Sequence, residues 1–390
     1  MTTQRSDFLI LGGGIAGASA GFFLAGRGTV TLLETEDTPG YHATGRSAAL
    51  FTEYYGNACI RALTRASRAF FENPPPGFAE HPLLTPRGVV AVARDDDEAE
   101  FEAALERGRA ISPLTREIDA AEVARLCPIV RPGSFARALH RPIVMDVDVH
   151  AAHSGFLRGL RAHGGRVVTS APARAIGRED GVWLVETPVG RFAAPILVNA
   201  AGAWADEVAA MAGVAAIGLV AMRRTAITFD PPAGLDPSGW PMVTDIGESI
   251  YVKPEGGRLL ASPCDETPVP PSDVQPDEID VATAADRVGT LTTVAIRRIV
   301  HRWAGLRSFV ADRTVVVGEA PDAPGFFWLA GQGGYGVQTA PAVARAAAAL
   351  ATGEPLPDEV ACLGITAADL SPARLISGRA QRQDHDRDGT

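Results

Sequence analysis

The chain has 390 residues, with 36 basic against 46 acidic side chains and a formal charge of −10. That length suggests two or three domain-sized units, or two interleaved ones, and the acidic balance argues against a nucleic-acid partner or electrostatic binding to anionic lipid. Cys59, Cys127, Cys264 and Cys362 are scattered without a C-x-x-C pair, so neither a disulfide framework nor a metal site is indicated.

In chain order, Phe8-Leu9-Ile10-Leu11 runs into Gly12-Gly13-Gly14-Ile15-Ala16-Gly17, and Val30-Thr31-Leu32-Leu33 ends on Glu34. An apolar strand, a glycine turn, a small-residue helix and a second apolar strand predict the opening of a dinucleotide-binding βαβ unit. Gly12 permits the tight turn, Gly14 lets backbone approach a pyrophosphate, and Gly17 lets the helix pack close to the sheet. The pyrophosphate is expected on the helix N-terminus at Ile15 and Ala16, where free N–H groups and the macrodipole favour negative charge. Glu34 is placed to accept hydrogen bonds from an adenosine ribose and to repel a 2′-phosphate, which favours FAD or NAD over NADP. No apolar signal segment precedes this unit, and no later stretch approaches about 20 uninterrupted apolar residues. A cytoplasmic protein without a transmembrane segment is expected, peripheral attachment to the inner membrane being compatible with it.

A polar, small-residue loop follows at 40–49. Ile60, Leu63, Ala66, Phe70 and Phe71 predict a helix over 57–72, which Asn73-Pro-Pro-Pro-Gly77 ends. A buried strand is expected at 88–93, a charged helix at 98–109, and a helix capped by Asp119 that ends near Cys127. Asp148 caps a predicted helix that runs to His163 and stops at Gly164-Gly165. Short strands are expected at 166–170, 173–178, 182–187 and 190–193, and a buried strand at 195–199 enters Ala200-Ala201-Gly202-Ala203-Trp204. From 221 to about 299 alternating apolar segments predict a mostly antiparallel sheet, interrupted by the Pro-rich loop at 263–276. The strand at 325–330 leads into Gly331-Gln-Gly-Gly-Tyr-Gly336 and an alanine-rich helix from about Thr339 to Leu350. The polar tail from 374 to 390 is expected to be disordered. Three strand–glycine–helix blocks far apart in sequence are expected to converge on one extended cofactor. An NAD site needs the first and a nearby second half, whereas an interleaved flavin site uses all three.

On Pro39-Gly-Tyr-His-Ala-Thr-Gly-Arg-Ser-Ala48, His81-Pro-Leu-Leu-Thr-Pro-Arg87, Val198-Asn-Ala-Ala-Gly-Ala-Trp204, Trp303-Ala-Gly-Leu-Arg-Ser-Phe-Val310 and Gly331-Gln-Gly-Gly-Tyr-Gly-Val-Gln338, the chain resembles the D-amino-acid oxidase/glycine oxidase superfamily of flavoproteins. Within it, the chain looks most like bacterial FAD-dependent D-amino-acid dehydrogenases of the D-arginine type. The resemblance extends from Phe8 to about Arg374. It implies an α/β fold with a Rossmann-like FAD-binding domain (1–80, 146–219 and 303–373). This is interleaved with an α+β substrate domain on a largely antiparallel sheet (81–145 and 220–302).

The resemblance also implies non-covalent FAD held by Gly12, Gly14, Ile15, Ala16, Gly17, Glu34 and Thr35, by Thr44, Gly45, Arg46, Ser47 and Ala48, and by Ala173, Ala201, Gly202 and Trp204. Gly305, Gly331, Gly333, Gly334, Tyr335, Gly336, Val337 and Gln338 complete that set. The last glycines are expected because backbone N–H groups must approach the flavin, with the following helix aiming its positive end at the ring. Arg224 and Arg307 are implied to hold a substrate carboxylate, and Tyr55, on a lid, and Tyr251 to hydrogen-bond the substrate. Gly334 and Gln338 complete the catalytic set, and Leu50, Thr52, Val89 and Met242 line the substrate pocket. His42, His150 and His153 read as structural or surface residues, so no general base is expected, the amine losing its proton to solvent.

Two departures bear on the substrate. D-arginine-preferring relatives carry an acidic residue just after the Pro-Arg of the His-Pro-Leu-Leu segment, where this chain has Gly88-Val89-Val90, and a His where it has Leu50. The expectation is a neutral or apolar D-amino acid, oxidised to the imino acid by hydride transfer to flavin N5 and then hydrolysed to 2-oxo acid and ammonia. Sarcosine-type oxidases place a lysine over the flavin where this chain reads Leu259-Leu260-Ala261. Lys253 reads as a pocket-edge or structural residue, so a quinone or other non-oxygen acceptor is expected. The alternatives are an oxidase of glycine, sarcosine or another N-substituted amino acid, and a flavin-binding subunit of a larger dehydrogenase complex.

Overall fold

The computed structural model describes residues 3–375. Its first layer is a six-stranded sheet in the order Arg166–Val168, Val30–Leu33, Phe8–Leu11, Ile196–Asn199, Phe326–Ala330, Val316–Glu319, parallel except for the last pair. Strands buried on both faces read as continuous apolar runs rather than alternating ones, which is why Phe8–Leu11 and Val30–Leu33 carry no polar face. The period-2 pleat nevertheless sorts their side chains. Phe8, Ile10, Val30, Leu32 and Val198 pack under the helices Ile15–Leu24, Ala58–Glu72, Val149–Ala162 and Gly336–Ala351. Leu9, Leu11, Leu33, Leu197 and Trp328 pack on the other side against Trp183, Val185 and Phe192. Those three belong to a small sheet in the order Thr3–Arg5, Gly190–Ala194, Val182–Thr187, Ala175–Glu179, whose first strand the sequence reading did not foresee.

The second unit is a nine-stranded sheet. Along it lie Thr267–Pro268, Val220–Phe229, Arg258–Ser262, Tyr251–Glu255, Met242–Asp245, Val89–Ala93, Arg137–Arg141 and Arg116–Ile118, with Ile299–Phe309 also paired to Val220–Phe229. It is antiparallel except where Met242–Asp245 runs parallel to Val89–Ala93. Strand Ile299–Phe309 pairs along its whole length with Val220–Phe229, so residues 303–309, expected with the FAD-binding segments, lie in the sheet of the other unit. A helix at Glu278–Leu291, absent from the sequence reading, covers one face. Asp277 caps it by accepting from the Ile279 N–H at 2.9 Å, and Val281, Ala284, Val288 and Leu291 pack on Ile227, Val252, Leu259 and Ala261.

Elsewhere the predicted caps are present. Asp119 accepts from the Glu122 N–H and Asp148 from the Ala151 N–H, both at 2.8 Å. Most of the tail expected to be disordered, 376–390, lies outside the described residues; Arg374 is held by Asp312 at 2.8 Å. Among the described residues no helix is long and apolar enough to cross a membrane.

Candidate active site

Adjacent parallel strands end at Leu11, Leu33, Asn199 and Ala330, and the loops leaving them open onto one long cavity that continues onto the face of the larger sheet. Its volume is about 1150 Å³, above the roughly 300–1,000 Å³ of ordinary small-molecule sites. The space suits an extended dinucleotide with a smaller molecule beyond it.

Close backbone approach builds the dinucleotide end. Gly12 sits at φ +107°, and a Cβ there would lie 2.4 Å from the Ala200 carbonyl oxygen. A Cβ on Gly17 would lie 1.9 Å from the Gly12 carbonyl oxygen, so only glycine lets the helix sit beneath the turn. Three side chains hold the turn. Glu34, buried, accepts from the Gly13 N–H at 2.6 Å and the Glu36 N–H at 2.9 Å. Thr44 Oγ1 accepts from the Ile15 N–H at 2.9 Å, and His153 Nε2 lies 2.8 Å from the Gly13 carbonyl oxygen.

The Gly14 and Ala16 amides, both on the cavity wall, have no protein acceptor among the described residues. The same holds for the Gly336, Val337 and Gln338 amides at the start of the 16-residue helix Gly336–Ala351. Two helix N-termini with unpaired N–H groups thus face one cavity, an arrangement that fits phosphates at one end and an electron-accepting ring at the other.

Burial pushes the His153 pKa below the ordinary histidine value, outweighing the Gly13 carbonyl. The neutral ring therefore serves as the N–H donor to that oxygen. A histidine with a depressed native pKa binds fewer protons folded than unfolded, so stability declines as pH falls from about 6.5 toward the native value. Half-buried His140 is shifted the same way. His153→Leu should release FAD more readily and flatten, without abolishing, the fall in Tm between about pH 6.5 and 5. Unchanged FAD retention with an unchanged slope would contradict this role.

The structure brings Gly12, Gly14, Ile15, Ala16, Glu34, Thr35, Thr44, Arg46, Ser47, Ala48, Ala173, Ala201, Gly202, Trp204 and Gly305 onto the cavity wall, along with residues 333–338. It does not bring Gly17, Gly45 or Gly331 there. Gly17 lies under the turn, Gly45 donates its N–H to the Gly40 carbonyl at 2.7 Å, and Gly331 turns the chain out of its strand at φ +75°. The reason for glycine at 333 and 334 also differs from the expectation. A Cβ at 333 would strike the Phe309 ring at 2.2 Å, and one at 334 would meet Arg307 Cζ at 2.9 Å. Gln338 is a positioning residue: its buried amide accepts from the Thr52 N–H at 3.2 Å and donates to Thr64 Oγ1 at 3.0 Å. The Arg46 guanidinium is committed to Asp273 and to the carbonyls of Val274 and Ala304.

At the other end the sheet supplies the floor. Arg224 lies opposite Gly305 and Met222 opposite Arg307, so both arginines share a face. Arg307 Nη1 donates to Tyr55 Oη at 3.1 Å, and no carboxylate lies within ion-pairing distance among the described residues. The Tyr55 ring packs on Tyr335 at 5.2 Å. Arg224 pairs with Glu266 at 3.1 Å, and Glu266 also holds Arg313 at 2.8 Å. Buried Arg224 Nε has no partner. Tyr251, Leu50, Thr52, Val89 and Met242 line the same space. Burial pushes the Tyr251 phenol up and the Cys264 thiol up to about 11.

The sequence reading missed Tyr54, Arg141, Glu248, Glu266 and Arg313 on this wall. Arg141 ends the short strand Arg137–Arg141, which the sequence reading did not place, and Glu248 and Glu266 sit in loops without a motif. The expectation of a neutral or apolar substrate side chain rested on the missing acid at 88–90 and on Leu50, and other strands and turns bring charged Arg141 and Glu248 to that region. Lys253 lies in the core, paired with Asp146 at 3.0 Å and Glu255 at 2.9 Å, and does not reach the cavity.

Residues 7–350 match the family described as DAO, FAD dependent oxidoreductase, and the chain belongs to that family. It is 24% identical to human mitochondrial sarcosine dehydrogenase over 350 residues, covering 83% of this chain and 37% of that protein. The chain thus spans little more than a third of that relative's length. It is 23% identical to the glycine oxidase of Geobacillus kaustophilus over 364 residues, covering 87% and 91% of the two chains. The crystal structure of that glycine oxidase aligns with a TM-score of 0.78 at 22% identity, covering 90% of this chain and 96% of that one. The dithionite-reduced, FAD-bound L-α-glycerophosphate oxidase of Mycoplasma pneumoniae aligns with a TM-score of 0.79 at 19% identity, covering 90% and 95%. At such identities these structures speak to the fold: glycine oxidase-like, with FAD as the family's cofactor.

Proposed function

We propose that this FAD-dependent oxidoreductase is a dehydrogenase of D-amino acids, yielding a 2-imino acid that water converts to 2-oxo acid and ammonia. The observation that carries the reading is Arg307, a guanidinium facing the cavity with one hydrogen bond to Tyr55 and no carboxylate partner among the described residues. A cation so placed, where the two units meet, suits a carboxylate held by a bidentate fork. FAD, when bound, supplies the acceptor for the electron pair leaving the substrate. Arg307 and the free Nε of Arg224 orient the carboxylate, and the Tyr55 and Tyr251 hydroxyls complete the polar contacts. The D hand rests on the resemblance to D-amino-acid dehydrogenases. An N-substituted glycine is the second reading, favoured by the likeness to sarcosine dehydrogenase and glycine oxidase.

Tyr251 and Cys264 are both held above their ordinary ranges by burial and stay protonated near neutrality. With no histidine among the substrate-side residues, the amine loses its proton to solvent. The rate should therefore rise with pH to a plateau, and a pH-independent rate would contradict this. Because the only lysine of the sequence is locked in the core, a quinone or dye should support turnover better than oxygen. Stoichiometric peroxide formation in air at the dye-supported rate would overturn the dehydrogenase reading in favour of an oxidase.

A further inference from the structure

Arg141 is a charged group that the mechanism above leaves unused. Its guanidinium lines the cavity, yet it has no ion pair and no hydrogen bond among the described residues. Its Nε is buried without a partner, and the guanidinium carbon lies 5.1 Å from the centre of the Tyr54 ring. Tyr54 itself is tied through its hydroxyl to Thr115 at 2.8 Å. A cation withdrawn from water without an anion is costly, so a chain that keeps one on a cavity wall calls for an anion from outside.

Register fixes where that anion would sit. Arg141 lies directly opposite Val89, and Val89 opposite Met242. Thr244, two residues along from Met242, lies opposite Tyr251. Residues opposite one another, or two apart on a strand, share a face, so Arg141, Val89, Met242, Thr244 and Tyr251 form one wall of the substrate space. Arg224 and Arg307 belong to the other end of the same sheet, on Val220–Phe229 and Ile299–Phe309.

The charges on that wall do not balance internally. Glu266 contacts both Arg224 and Arg313 with a single negative charge, and with Glu248 it leaves two carboxylates against the four guanidiniums of Arg141, Arg224, Arg307 and Arg313. Glu248 lies within the field of Arg141, Arg224 and Arg307 but beyond ion-pairing distance of each. It sits on a turn at φ +54° and is exposed.

We propose that Arg141 forms a second anion subsite, and that the favoured substrate is an amino acid bearing a second carboxylate remote from the one held by Arg307. The proposal rests on the amino-acid reading above and deepens it. The second carboxylate can be carried on the side chain or on the substrate nitrogen, and the two are separable by experiment.

The holoenzyme's visible flavin spectrum is titrated with glutarate and with butyrate, which carry no amine and are not oxidised. Glutarate should bind on the order of 10–100-fold more tightly, the worth of one charge-assisted contact. Arg141→Gln should bring the two ligands together, and Arg141→Lys should keep part of the difference. Equal affinities in the wild type overturn the subsite whatever the variants do, as does a preference that survives Arg141→Gln. Turnover then separates the sources. D-glutamate favoured over D-glutamine places the second carboxylate on the side chain, and iminodiacetate favoured over sarcosine places it on nitrogen. Glutarate selectivity without oxidation of any amino acid leaves the subsite standing and removes the amino-acid reading. Oxidation of neutral D-amino acids without dicarboxylate selectivity does the reverse.

Discussion

Arg307→Met should leave FAD bound and lower kcat/KM by about 10²–10⁴-fold, since two charge-assisted hydrogen bonds to a carboxylate are lost at roughly 1.5–3 kcal/mol each. The flavin should remain because Arg307 touches Tyr55 and packs over Gly334, and takes no part in the Gly12–Gly17 turn. Most of the loss should appear in KM if the carboxylate is held equally in ground and transition states. Arg307→Lys should recover little, because an ammonium is a point charge without the planar fork. Tyr55→Phe removes one neutral hydroxyl contact and should cost about tenfold or less. A variant at Arg307 that stays within threefold of wild type would place the substrate carboxylate elsewhere.

Gly17→Ala should abolish FAD retention and lower Tm, although it adds one methyl group. That methyl would sit 1.9 Å from the Gly12 carbonyl oxygen, so either the helix lifts off or the glycine turn opens. Overpacking of this kind costs about 1–3 kcal/mol in an ordinary core. Here the strain falls on the turn whose Gly14 and Ala16 amides are left unpaired toward the cavity. Gly26→Ala is the matched control: its added carbon would be 3.8 Å from the Phe23 carbonyl, an ordinary contact, and it should be neutral. A Gly17→Ala protein that purifies yellow with wild-type Tm would refute the packing role assigned to Gly17.

The dinucleotide end was legible in the sequence because its chemistry is local. Gly12, Gly17 and Glu34 act through the backbone of one βαβ unit, and the spacing of glycines and carboxylate is set by that geometry. Two-sided burial also made Phe8–Leu11 and Phe326–Ala330 readable as uninterrupted apolar strands, and Val30–Leu33 as a largely apolar one with a buried Thr31. The substrate wall was much less legible. Arg141, Glu248, Glu266 and Arg313 come from separate strands and turns, and only strand register brings them together. Val89 was named for the pocket, but its cross-strand partner Arg141 could not be known before the pairing of Val89–Ala93 with Arg137–Arg141 was seen. The helix Glu278–Leu291 was missed for a different reason. Its apolar spacing is helical and Asp277 caps it, yet it is embedded between strands and follows a Pro-rich loop, and the region was read as alternating throughout.

We read the cavity as one that oxidises an amino acid whose carboxylate Arg307 holds. Its most direct test is an anaerobic titration of the purified, FAD-loaded protein with D- and L-amino acids, including glutamate, leucine and methionine, alongside sarcosine and iminodiacetate, followed in the visible flavin band. Bleaching by D forms and not by their L counterparts, lost in Arg307→Met, is the predicted result. A yellow protein that none of these compounds reduces would contradict the account and move the cavity to another class of reductant.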